Sequence, residues 1–351
     1  MHDDISSGHL PLCARPVTFF MLLLFTFISP SLAFDKDGHD AIGMIATDGL
    51  DYINNRATFE LKKLLLKGDA GDAAYWTHEV EAKISSLGSL HFQGQSRHGT
   101  CTPDHCPEGR CLNKAIKALY AQLVGDETSQ YNGVFPSDLQ LTDSDAIKFI
   151  ITLVGDMHQP MHESHVNEDF GRNSQVSLLG KNTNMFDVWE SLLTALETAG
   201  TAWWSGWTQI AHAPTFPGDR QAFQDKGISV IDDWIQENAQ FACDNIFPRM
   251  GQPITPELAI VWRKDLRARL LMAGSRVAVI VHAILSERSK RGRTVFRGGS
   301  AFAPLPETDM LEAAVTTQSG AAMVNLGVLG TVLLAFVLFV RHLNRNSHLK
   351  D

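Results

Sequence analysis

Apolar residues along the chain recur mostly at intervals of three and four, and alternation of period two is scarce, so the sequence predicts a mostly α protein. The strongest segment is IKFIITLVGDMHQPMH at 147–162. Ile147, Ile150, Ile151, Val154 and Met157 repeat there at helical spacing, which predicts a buried helix whose last turn carries polar groups. Pro160 cannot donate to the carbonyl of Asp156, so the helix is expected to bend or stop there and swing His162 to a new position. Further helices are expected over 112–125, 184–197, 219–249 and 256–286, with helix, turn, helix over 50–90. Stretches 126–141 and 163–180 read as loops.

Two apolar runs have a different character. Residues 17–32, VTFFMLLLFTFISPSL, end in Ser31-Leu32-Ala33, the pattern of a signal peptide with a small-residue cleavage site. Cleavage after Ala33 makes Phe34 the mature amino terminus, and His39 follows at the start of an apolar helix. The uncharged run 321–340 is long enough to cross a bilayer, with Arg341, Arg345 and Lys350 just beyond it. Together these predict a type I membrane protein with its main domain luminal or extracellular and a short basic cytoplasmic tail at 341–351. A lipid anchor fits less well, because the tail RHLNRNSHLKD is polar. Between helix and span, 287–320 reads as a basic and polar linker, and Arg288 to Arg291 as a solvated basic loop rather than a dibasic processing site.

The polar end of the central helix points to a metal. A single His near a helix end is ordinarily a capping or solvated residue. An Asp on an apolar helix is costly to bury without a counter-charge, so Asp156 beside His158 and His162 calls for a cation. In 184–197, Phe186 and Glu190 stand one turn apart on one face.

Composition narrows the partners. With 44% hydrophobic and 20% charged residues the chain is neither collagenous nor disordered. Its formal net charge of -9 argues against nucleic-acid binding by a broad basic surface, so any phosphate contact has to be local and cation-mediated. Of five cysteines, Cys13 lies in the leader. Cys101, Cys106, Cys111 and Cys243 remain, read as two disulfides in an oxidising compartment rather than a zinc knuckle. No N-x-[ST] acceptor occurs, so no N-glycan is expected.

These features coincide in one pattern: Phe34-x4-His39, then His91, FIITLVGDMHQPMH with Asp156 and His162, and Glu190. Over 34–286 the chain resembles the zinc-dependent class I nucleases, which include the single-strand nucleases and the kinetoplastid-type 3'-nucleotidase/nucleases. The resemblance implies a single helical domain of the phospholipase C/nuclease type. It implies up to three zinc ions, one to three of them here, and pairing of Cys101 with Cys243 and Cys106 with Cys111. The implied metal positions are Phe34 (main-chain amine and carbonyl), His39, His78, His91, Asp156 as bridging and catalytic carboxylate, His162 and Glu190; Phe92 is implied to stack a base.

Departures from the family pattern cluster in the site. His78 stands for an Asp, Thr152 for a His, Phe186 for a His and Glu190 for an Asp. Glu81 aligns with an Arg near the scissile phosphate, Gly94 with a base-binding Asp, and Asp169 to Asn173 with a D-x-G-G-N loop. The ion served by His162 and Glu190 alone is the one expected to be missing. The expected function is a monomeric, membrane-anchored endonuclease on single-stranded DNA or RNA, or a 3'-nucleotidase, with activity weakened. The alternatives are an inactive nuclease-like protein that binds a nucleotide or protein partner, and phospholipase C-like hydrolysis, which Glu190 permits.

Overall fold

Thr142 opens the central helix with a reciprocal cap: its hydroxyl accepts from the Asp145 amide at 3.1 Å, and the Asp145 carboxylate accepts from the Thr142 amide at 3.1 Å. In the computed structural model, which describes residues 34–292 apart from 67, 82, 83, 98, 132, 137, 138 and 199–216, this helix runs Asp143–Asp156 and is buried on every side except at Lys148. Its all-round apolar sequence allows that position, because no face needs water. It stops at Asp156, and Pro160 begins a separate 3-10 turn, Pro160–Glu163, which redirects His162 as expected.

The other helices wrap around it. In chain order they are α1 (Asp35–Leu64), α2 (Ala70–Ala74), α3 (Trp76–Glu81), α4 (Leu112–Val124), the central helix α5, α6 (Met185–Asp187), α7 (Leu193–Thr198), α8 (Pro217–Lys226), α9 (Val230–Asn245) and α10 (Pro256–Lys290). A 3-10 turn, Ser85–His91, follows α3, and a π-helical turn, Val188–Leu192, joins α6 to α7. The two long helices α1 and α10 pack closely because small residues face one another: a Cβ on Gly49 would meet the Ala278 methyl at 3.2 Å. Trp189 and Trp262 are buried together in the core with ring centroids 5.4 Å apart.

The mostly α expectation holds, with local differences that have physical causes. Residues 50–64 are no separate helix but the second half of α1, kinked at Asn54, whose side chain accepts from the Arg56 amide at 3.1 Å. Stretch 219–249 is broken at Gly227, which takes a positive φ of 57° between α8 and α9. Within 163–184 a two-stranded antiparallel hairpin forms, β1 (Gln175–Leu178) and β2 (Lys181–Asn184). Leu179 and Gly180, at φ 52° and 81°, make its tight turn.

Helix α10 continues through 287–290, which shortens the expected linker. Arg288 is buried, donating to the Leu123 carbonyl at 2.8 Å and to the Asp143 carboxylate at 2.9 Å, so it ties three helices together and is not a solvated loop residue. The disulfides are Cys101–Cys243 and Cys106–Cys111, pinning the loop before α4 to α9. The leader at 1–33, most of the linker, the span at 321–340 and the tail lie outside the described residues. Among the described residues only α10 is long and apolar enough to cross a membrane, and it is mostly buried as a core helix.

At Gly43, α1 touches the start of α2 so closely that a Cβ would overlap the Ala70 carbonyl. Gly43→Ala should destabilise the domain by about 1–3 kcal/mol or more, because backbone and not a side chain has to move. Urea unfolding followed by circular dichroism measures it, and wild-type stability would refute this packing.

Candidate metal centre

Four elements deliver side chains to one buried point. Asp156 ends α5, His39 lies early in α1, His78 lies on α3, and His91 closes the 3-10 turn Ser85–His91. Asp156 is 1% exposed. Its Oδ1 stands 3.3 Å from His39 Nε2 and 3.6 Å from His78 Nε2, and its Oδ2 stands 2.6 Å from His91 Nδ1. The two Nε2 atoms of His39 and His78 are 3.4 Å apart. Two donors held ~2.05 Å from one tetrahedral zinc stand roughly 3.3 Å from each other. The His39–His78–Asp156 triangle therefore has the edge lengths that one such ion requires.

Unpartnered buried atoms point the same way. Asp156 Oδ1, His91 Nε2 and His162 Nε2 have no hydrogen-bond partner, although burial makes such atoms costly. Nitrogen and carboxylate donors suit zinc, so the residues present fit that ion. Gly155 gives His39 its place: a Cβ there would lie 2.9 Å from His39 Cε1.

The charges are mutually dependent. Burial would raise the pKa of Asp156, but His78, His91 and His162 hold it well below the usual carboxylate range. Burial opposes a proton on His78, yet the adjacent Asp156 carboxylate outweighs it and pushes the pKa up to about 10. For His39 burial wins and lowers the pKa. Asp156 and His78 thus each favour the other's charged form.

A second group lies alongside. His162 sits in the 3-10 turn after α5, its Nδ1 donating to the His91 carbonyl at 2.6 Å, and its Nε2 stands 3.7 Å from Glu190 Oε2. Glu190 rides on the π turn Val188–Leu192, a local distortion frequent at functional sites, and accepts from Gln159 Nε2 at 2.5 Å. Phe186 packs its ring 5.7 Å from that of His162 and brings no donor to this group. The Arg172 guanidinium lies 3.7 Å above the Phe186 ring.

The remaining sequence-predicted residues divide as follows. Phe34 is buried, with its ring 6.2 Å from that of His39 and its carbonyl accepting from the Gly38 amide at 3.0 Å. Thr152 offers nothing to the centre, since its hydroxyl donates to the Ala74 carbonyl at 2.6 Å and clamps α5 to α2. Phe92 stacks on His162 at 4.5 Å and also meets Phe170 at 4.3 Å. At Gly94 a Cβ would meet Val166 at 2.6 Å, so no larger residue fits. Three further polar side chains nearby in sequence are engaged elsewhere and do not join the centre. His158 bonds the Val154 carbonyl and accepts from Arg276, His165 packs against Phe247, and Asp187 accepts from Asn184.

Two participants were missed from sequence. Glu81 brings a carboxylate to His78 and His91, and Gln159 orients Glu190. The signal for Glu81 was its i, i+3 spacing from His78 on a short helix.

Histidines and carboxylates gathered from separate elements of a helical domain around one buried acid form a centre whose donors could hold a metal ion. The chain belongs to the S1/P1 nuclease family, whose family model matches residues 34–286. It is similar to Endonuclease 2 of Arabidopsis thaliana, 27% identical over 177 residues that cover 47% of this chain and 56% of the relative. It is also similar to Endonuclease 3 of Arabidopsis thaliana, 28% identical over 196 residues covering 51% and 61%. The chain thus spans a little over half the length of these curated relatives.

Phe186→His should place a nitrogen beside His162 and Glu190 and raise zinc affinity there by on the order of tenfold or more. Competition against a chromophoric chelator reads the gain, and an unchanged binding curve would show that this side cannot hold an ion.

Proposed function

We propose that the chain is a zinc-dependent phosphoesterase that cleaves single-stranded DNA or RNA, or releases phosphate from 3'-nucleotides. The observation that carries this is the His39–His78–Asp156 triangle with edges of 3.3–3.6 Å in a chain of a nuclease family. Zinc, when bound, supplies Lewis acidity that activates water near neutral pH and stabilises charge on a phosphoryl group.

The chain's own residues have distinct tasks in this proposal. Asp156 and His39 anchor the inner cation, with the main-chain atoms of Phe34 joining once residues 1–33 are removed. His78 and His91 form the neighbouring side, and His162 with Glu190 forms the weakest. Phe92 presents an aromatic surface for a base, shared with His162 and Phe170. Arg172, beside Phe92 at 5.4 Å, is a fixed cation for a phosphate. We further propose a luminal or extracellular domain anchored by 321–340, monomeric, in an oxidising compartment consistent with the two disulfides.

Phe186 and Thr152 favour a second reading, a nuclease-like protein that binds nucleotide without cleaving it, because each occupies a place where a donor would serve and donates nothing.

The test is release of inorganic phosphate from a 3'-mononucleotide, and cleavage of single-stranded DNA, by the full chain. Activity should vanish on chelation, return with zinc, and fall by on the order of a hundredfold or more in Asp156→Asn. Nucleotide binding with no hydrolysis at any zinc concentration would establish the second reading instead.

A further inference from the structure

We infer that Glu81 is a metal ligand that completes, with His78 and His91, a second and more open cation site beside the His39–His78–Asp156 triangle. This rests on the proposal that the chain holds zinc.

The two imidazoles each present one nitrogen to Asp156 and the other to Glu81. His78 Nε2 stands 3.6 Å from Asp156 Oδ1, while its Nδ1 stands 3.7 Å from Glu81 Oε2, so with both sites filled His78 would bridge them as an imidazolate, its ring proton released to solvent on metal binding. His91 Nδ1 is held by Asp156 Oδ2 at 2.6 Å, leaving Nε2 3.5 Å from Glu81 Oε2. That Nε2 is buried and without a hydrogen-bond partner. A ring whose one nitrogen is fixed by a carboxylate presents the other as a ligand atom, which is how outer-shell acids orient metal-binding histidines. The donor atoms of His78, Glu81 and His91 all lie within 4.8 Å of one another. Two histidines and one glutamate form a set found in catalytic zinc sites, where the fourth position stays free for water or substrate.

Exposure and space agree with this assignment. The Glu81 side chain is 30% exposed while His78 is at 10% and His91 at 1%, so solvent reaches the cluster from the Glu81 side. Gly88 leaves room beside Glu81: a Cβ there would lie 2.6 Å from Glu81 Oε1 and would push the carboxylate out of its observed position. In this arrangement Asp156 has two roles, donating Oδ1 to the inner triangle and using Oδ2 to aim His91 at the outer site. The rival explanation is an ion pair between Glu81 and protonated histidines, and it predicts no effect of Glu81 on metal uptake.

Cobalt(II) separates the two. The full chain, stripped by chelation, is titrated with cobalt and followed by visible absorption and native mass spectrometry. Glu81→Gln should bind one equivalent fewer than wild type, or bind it at least about tenfold more weakly. Glu81→His should keep that equivalent with shifted absorption bands, because nitrogen replaces oxygen as donor. Glu79→Gln, exposed on the same helix, is the control and should bind as wild type. Circular dichroism of each variant verifies the fold. Wild-type stoichiometry, affinity and spectrum in Glu81→Gln would overturn the Glu81 site and leave the zinc reading standing. A wild-type chain that takes up no cobalt would bring down both.

Discussion

A carboxylate at 1% exposure cannot stay charged without compensation, and Asp156 is the point where this fold concentrates that demand. Its helix, α5, is buried almost throughout, so the acid has no route to water and is met by polar side chains from three other segments. His39, His78 and His91 reach it from α1, α3 and the 3-10 turn Ser85–His91. A cation held among them would meet the same requirement, and the donors present are of the kind that could hold one.

The two sides of the centre have fared differently. Around Asp156 the donors remain within 3.3–3.6 Å of one another, and Glu81 adds a further oxygen at the solvent edge. Around His162 and Glu190 the third place is taken by Phe186, whose face carries the Arg172 guanidinium. The Arg172 guanidinium, 3.7 Å from the Asp169 carboxylate, covers that ring and not the centre. Thr152 likewise offers nothing to the centre, its hydroxyl clamping α5 to α2.

Several contacts that pack the domain involve none of the candidate ligands. The α1–α10 contact, the tryptophan pair and the Arg288 link between α4, α5 and α10 all lie in the packing of the domain and not in the centre.

By itself the sequence determined the helical class, the end of α5 at Asp156, the turn at Pro160 and a metal-seeking cluster, since each follows from local periodicity, proline geometry and the cost of an unpaired buried acid. The family resemblance supplied the disulfide pairing, which local rules leave open. Tertiary structure alone decided which nitrogen of each histidine faces which oxygen, that His158 belongs to Arg276, that Arg288 is buried and that Glu81 closes on His91. Those outcomes depend on the relative placement of elements distant in sequence, and no single segment encodes the distance between two side chains that meet only after the core has packed.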